Sequence, residues 1–115
     1  MKTVDVSQQA TRLPYEQDHL DALMRMRVLD AYYACSLSLV RPWIGQRVMD
    51  AGCCIGNGTD LLTRSASYLL AVDLSAENLR IAAERFLDHP NVEVQNADLE
   101  RDLSHFADRR LDTII

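Results

Sequence analysis

Three of the chain's four glycines, Gly52, Gly56 and Gly58, fall within seven residues, inside the stretch RVMDAGCCIGNGTDLL at 47–62. Apolar runs flank the cluster on both sides. A glycine-rich turn between a strand and a helix frees the backbone for left-handed angles and for close approach to a ligand. It also aims the N-terminus of the following helix at that ligand. The same turn can serve only to pack a helix on a strand, so both uses stay open at this point. The local architecture is constrained either way: a buried strand over 47–51, stopped by Gly52, then a helix from near Asn57 to about Arg64.

The rest of the chain extends that pattern. Residues 1–14 are polar, end at Pro14, and read as a flexible arm. From 16 to 40, Leu20, Leu23, Met24, Val28, Ala31, Tyr32 and Cys35 recur at the three-and-four spacing of one amphipathic helix. Arg41-Pro42 ends or kinks it, and Trp43 and Ile44 are expected to pack at the entry to the sheet. YLLAVD at 68–73 predicts a second strand. Ser75 predicts a helix cap, with Leu79, Ala82, Ala83 and Phe86 on the inner face. VEVQNAD at 92–98 predicts a third strand, 101–107 a weak helical turn, and LDTII at 111–115 the start of a fourth strand. Strands alternating with helices predict a parallel sheet covered on both faces. A chain that stops two apolar residues into such a strand leaves an unfinished edge. We therefore read 1–115 as the N-terminal half of a longer protein or a truncated product. The alternative is a complete small domain with its last strand at the sheet edge.

Composition excludes several function classes. Seventeen acids against 12 bases give a net charge of −5, and Lys2 is the only lysine. Without a basic stripe, a nucleic-acid partner is disfavoured. No apolar run approaches the length of a membrane span, and the N-terminus lacks a signal-peptide core. Cys35, Cys53 and Cys54 are odd in number and follow no disulfide spacing, which predicts a cytoplasmic protein. Cys53 and Cys54 lack the second ligand pair that a zinc site needs, so no metal is expected. A thiol at a helix N-terminus can ionise readily, which makes Cys54 a candidate for oxidation.

Two acids add to the turn. Asp73 ends the second strand, 21 residues after Gly52. An acid at that tip can accept hydrogen bonds from ribose hydroxyls; it can equally cap a helix or face solvent. Asp98 follows the third strand and carries the same ambiguity. The segments VMDAGCCIGNGT, AVDLSAENLRIAAERF and NVEVQNADLERDL, in that order and spacing, resemble the first three motifs of class I S-adenosylmethionine-dependent methyltransferases. The resemblance covers roughly 43–115. It implies a Rossmann-like α/β domain, partial and truncated after the start of its fourth strand, over 46–115, with an N-terminal helical segment at 15–45.

The resemblance also implies roles. Gly52 and Gly56 would shape the loop around the methionine part of S-adenosylmethionine, and Asp50 would help hold the amino-acid end. Asp73 would bind the ribose hydroxyls, with Leu74 on one side of the adenine. Asp98 would accept from the adenine amino group, with Leu99 beside it. Cys54 stands where the family has its middle glycine. A side chain at a left-handed residue costs roughly 1–2 kcal/mol, and its sulfur would crowd the cofactor. Of Tyr15, Tyr32 and Tyr33, one is a candidate to touch the cofactor, because an N-terminal helix folds over it in the proteins resembled; packing is the alternative. The partner implied is a methyl acceptor, read as a small molecule, with no catalytic base identified.

Two other readings stand beside this one. A nicotinamide-dependent oxidoreductase wants Gly-x-Gly-x-x-Gly, which Gly52, Gly56 and Gly58 do not match, and Asp50 would repel a pyrophosphate. A non-catalytic Rossmann-like fragment, truncated or degenerate, could pair as a homodimer through its open sheet edge; Cys54 and the early end both favour it.

Overall fold

The computed structural model describes residues 16–115. The predicted arm at 1–14 and Tyr15 lie outside the described residues. Two helices open the described chain, α1 (Glu16–Met26) and α2 (Asp30–Val40), followed by a 3-10 turn over Arg41–Trp43. Then come β1 (Arg47–Ala51), α3 (Asn57–Leu62), β2 (Tyr68–Asp73), α4 (Ala76–Arg85), β3 (Val92–Asn96), α5 (Leu99–Asp102), a 3-10 stretch over Leu103–Arg109, and β4 (Thr113–Ile114).

The four strands form one sheet in the order β3-β2-β1-β4. All three pairings are parallel, as the alternating strand and helix pattern predicts. β1 runs beside β2 from Arg47↔Tyr68 to Ala51↔Val72, and β3 beside β2 from Leu69↔Val92 to Asp73↔Asn96. β4 returns to the other side of β1 and pairs only at Val48↔Thr113 and Met49↔Ile114. The chain therefore reverses its order across β1, and the crevice beyond the strands' C-terminal ends is where ligands bind in open α/β sheets.

Successive strand side chains point to opposite faces, which splits the core in two. Val48, Leu69 and Val92 meet Leu62, Ala82 and Phe86 from the α3/α4 side. Met49, Leu70 and Val72 meet Phe106 on the other side. The inner face expected for α4 is observed, with Leu79, Ala82 and Phe86 buried and Ala83 half-buried. Ser75 caps that helix, accepting from the Asn78 backbone N–H at 3.3 Å.

Three expectations need correction. The single helix over 16–40 breaks at Arg27–Leu29 into α1 and α2. Leu20 and Leu23 of α1 are buried against Ile55, whereas no residue of α2 is buried. The local sequence offers no glycine, proline or capping side chain at the break, and of the two helices it is α1 that buries residues on the glycine loop. Trp43, expected to pack at the sheet entry, is 76 % exposed, and Ile44 alone joins the core. β3 ends at Asn96 rather than at 98, because Asp98 turns out of the strand to cap α5.

Candidate functional site

The glycine loop leaves β1 at the C-terminal rim of the sheet. Gly52 and Cys53 both donate their backbone N–H to Val72 O, at 2.8 and 2.9 Å, which bends the chain across the end of β2. Gly56 N then donates to Cys53 O at 2.9 Å and closes the turn. Gly52 is left-handed at φ +79°, and the space where a side chain would project holds no atom within 4 Å. Gly56 is left-handed at φ +86°, and a Cβ there would strike the Phe86 ring. The first glycine thus faces open space, and the second makes room for the Phe86 ring that follows α4.

Cys54 is left-handed too, at φ +51°. Its backbone N–H donates to Asp73 Oδ2 at 2.8 Å, while Asp73 Oδ1 accepts from Ser75 N at 2.8 Å. The acid at the tip of β2 therefore ties the glycine loop to the start of α4. Asn96 holds the same corner from β3, donating through Nδ2 to Asp73 O at 3.0 Å and Leu74 O at 2.9 Å. Asp50 lies under the loop and accepts from Thr59 Oγ1 at 2.5 Å. Burial pushes its carboxyl up, Thr59 draws it back down, and the nearby Asp73 charge pushes it up again, for a net rise.

The same surroundings set the thiols. Burial, then the Asp73 and Asp50 charges, push Cys54 up to about 11. Burial and the same acids push buried Cys53 still higher. The readily ionised Cys54 that a helix N-terminus could give is therefore not what this loop makes; burial and then the two carboxylates outweigh it.

At the far side of the crevice, Asp98 caps α5, accepting from Glu100 N at 3.0 Å, with Arg101 Nε 3.6 Å from its other oxygen. Leu99 packs against the Phe106 cluster, and Leu74 stands 62 % exposed beside Asp73. The expected residues Asp50, Gly52, Cys54, Gly56 and Asp73 are brought together in one hydrogen-bonded loop. Leu74, Asp98 and Leu99 lie along the adjoining strand ends, with Asp98 engaged in its own cap. Sequence reasoning missed Thr59, Asn96 and Asn57. Asn57 donates through Nδ2 to the backbone Leu23 O of α1 at 3.1 Å and to the hydroxyl Oη of Tyr33 of α2 at 3.3 Å. Their partners are remote in sequence, so only the polar residue at the start of α3 hinted at such a role. Among the described residues, no group of His, Cys, Asp and Glu converges to hold a metal ion, and no helix is long and apolar enough to cross a membrane.

Residues 48–115 match the protein family described as methyltransferase domain. No curated protein matches the chain. Among solved structures, phosphoethanolamine N-methyltransferase 1 of Haemonchus contortus, in complex with phosphoethanolamine and S-adenosylhomocysteine, is 25% identical. It superposes with a TM-score of 0.57 over 68% of this chain and 16% of that one. The N-terminal domain of EvdMO1 with S-adenosylhomocysteine bound is 26% identical, with a TM-score of 0.52 over 60% of this chain and 31% of that one. A SAM-dependent methyltransferase from Aquifex aeolicus, 24% identical, shares the fold with a TM-score of 0.54 over 76% of this chain and 48% of that one. The chain spans less than half the length of each of these proteins.

Proposed function

We propose, because the chain belongs to the methyltransferase-domain family, that it binds S-adenosylmethionine on its glycine loop and serves methyl transfer to an acceptor. One observation carries the reading. Gly52 is exposed, left-handed, and faces open space at the rim of the sheet, on a loop whose next turn is bonded to Asp73. Bound S-adenosylhomocysteine in two proteins of similar fold supports the cofactor class.

The donor set fits that cofactor. Each Asp73 oxygen accepts one backbone N–H, and a carboxylate oxygen has a second lone pair free for a ribose hydroxyl. Asp50 is a carboxylate whose charged form is disfavoured in the ligand-free chain. A cationic ammonium or sulfonium beside it favours that charged form. Leu74 and Leu99 would flank the adenine, and Asp98 would accept from its amino group. Cys54 would line the methionine end. Bound S-adenosylmethionine supplies an electrophilic methyl on a sulfonium that leaves as a neutral thioether. The chain's own contribution is to bind and orient, since positioning supplies much of the rate of such a displacement. The acidic balance of the chain supports a small-molecule acceptor, and its three free thiols support a cytoplasmic setting.

Calorimetric titration of the 115-residue chain with S-adenosylhomocysteine, with NAD in a parallel cell, tests this. Micromolar binding of the first alone is expected; a folded chain that binds neither defeats the reading. The strained Cys54 and the outer edge of β4 support a second reading, a non-catalytic chain that pairs with a second copy through that edge. Size-exclusion chromatography decides it, and a clean monomer counts against it.

A further inference from the structure

We propose that Asn96 is a positioning residue for the adenosine half of the cofactor: its amide holds the backbone so that Asp73 is presented to the ribose and Leu74 to the adenine. The assignment rests on the cofactor reading above. The carbonyls at the end of β2 turn to its two neighbours in alternation. Val72 O faces the β1 side and accepts from Gly52 N and Cys53 N at 2.8 and 2.9 Å, whereas Asp73 O faces β3 and accepts from Ala97 N at 3.2 Å. One more step of that alternation would turn Leu74 O back toward the glycine loop. Instead Asn96 Nδ2 donates to it at 2.9 Å, and to Asp73 O at 3.0 Å. Two consecutive carbonyls are thus drawn to the β3 side. The loop side of the corner is left to the Asp73 carboxylate, whose Oδ2 accepts from Cys54 N at 2.8 Å, while the Leu74 side chain stands 62 % exposed at the rim.

The backbone after β3 offers no substitute. Ala97 N is committed to Asp73 O, and Asp98 N donates to Asp102 Oδ2 at 3.1 Å as the chain turns into α5. That leaves Leu74 O to the Asn96 side chain. The orientation of the amide follows from its partners. Both are carbonyl oxygens, so the end that faces them is the NH2, and its two N–H groups suit two acceptors. An oxygen in the same place would face two carbonyls and push the corner apart.

Asn96→Asp makes that exchange at nearly constant size. Asn96→Ala removes the amide without adding charge, and it serves if the first variant does not fold. Affinities are measured at a temperature where thermal melts show each variant folded. S-adenosylhomocysteine is titrated by calorimetry. 5′-Methylthioadenosine, which keeps the adenosine and lacks the amino-acid end, is read by its displacement of bound S-adenosylhomocysteine. The variant is expected to weaken both ligands by the same factor, about ten-fold, the scale of polar groups losing their partner. Unchanged affinities with a lowered melting temperature overturn the assignment and make Asn96 a brace of the fold only. A loss confined to S-adenosylhomocysteine also overturns it, since the effect would then lie at the amino-acid end. A wild-type chain that binds neither ligand defeats the cofactor reading itself, and the assignment falls with it.

Discussion

Cys54 holds a left-handed backbone that costs a side-chain-bearing residue roughly 1–2 kcal/mol. Such strain persists where surrounding bonds over-determine it. Here the Asp73 carboxylate grips the Cys54 N–H, and the turn is closed on either side through Val72 O and Cys53 O. Cys54→Gly should therefore raise stability by about 1 kcal/mol, part of the relieved strain being offset by a more flexible unfolded chain. It should also tighten S-adenosylhomocysteine binding. Urea melts and calorimetry check the two effects; weaker binding would mean that the sulfur contributes to the site. Asp50 behaves in the opposite sense to a salt-bridged acid. Its folded pKa lies above its ordinary value of 3.8. The folded chain then holds the proton more tightly than the unfolded one, so stability falls as pH rises from 3.8 through the folded value and stays reduced above it. Asp50→Asn is expected to raise the melting temperature of the ligand-free chain at pH 7 and to weaken S-adenosylhomocysteine about ten-fold. Thermal melts with and without ligand measure both. At this scale the glycines were legible, because a positive φ selects glycine for a reason visible in one residue. The state of the acids and thiols was not, because it depends on Asp50 and Asp73 converging from two strands.

Elements differ in how openly their sequence announces them. The strands of a parallel sheet are buried on both faces and read as apolar runs, which is why 47–51 and 68–73 match β1 and β2 residue for residue. The break between α1 and α2 carries no local signal, and neither does the hub at Asn57, whose partners lie up to 34 residues away. A second unannounced device closes the opposite end of the sheet. Arg109, from the stretch after α5, pairs with Glu93 of β3 at 2.9 Å, and Tyr68 of β2 donates its hydroxyl to the same carboxylate. Arg47 of β1 lies 4.5 Å above the Tyr68 ring and donates through Nε to Arg109 O at 2.9 Å. Burial alone would raise Glu93, but the bonds from Arg109 and Tyr68 and the Arg109 charge outweigh it and hold the carboxyl below its ordinary value of 4.5. Its stabilising contribution is therefore fully present above 4.5 and is lost as pH falls through the lower, folded value. Glu93→Gln should cost about 1–2 kcal/mol at pH 7. The gap between variant and wild type should close in acid, as denaturation curves at pH 7 and pH 3 will register.

The whole molecule is a sheet of unequal seams. β1 and β2 pair along their full length, whereas β4 is joined to β1 at Thr113 and Ile114, with Ile115 N donating to Met49 O beyond them. The Asp112 carboxylate fastens the near end, accepting from Gln46 N and Arg47 N at 3.0 Å each. Local opening follows such differences in packing and bonding. Native-state hydrogen exchange is expected to show the amides of β4 opening well before those of β1 and β2, and uniform protection across the sheet would refute it. The parallel α/β architecture was legible as a whole, since strand and helix alternate along the sequence. The thinness of its last seam was not, because two residues of pairing cannot be told from five in an apolar tail.

That seam also sets an order in time. Arg47 and Asp112 are 65 residues apart in the chain, and a ribosome delivers the first long before the second. The loop from Gly52 to Gly56, the Asp50 beneath it and the Asp73 that grips it have all been made once β2 is complete. Everything that β4 adds comes later, after α4, β3 and α5 have been threaded out. In the order of synthesis, the strands, loop and acids of the cradle all precede the strand that borders β1 on its other side.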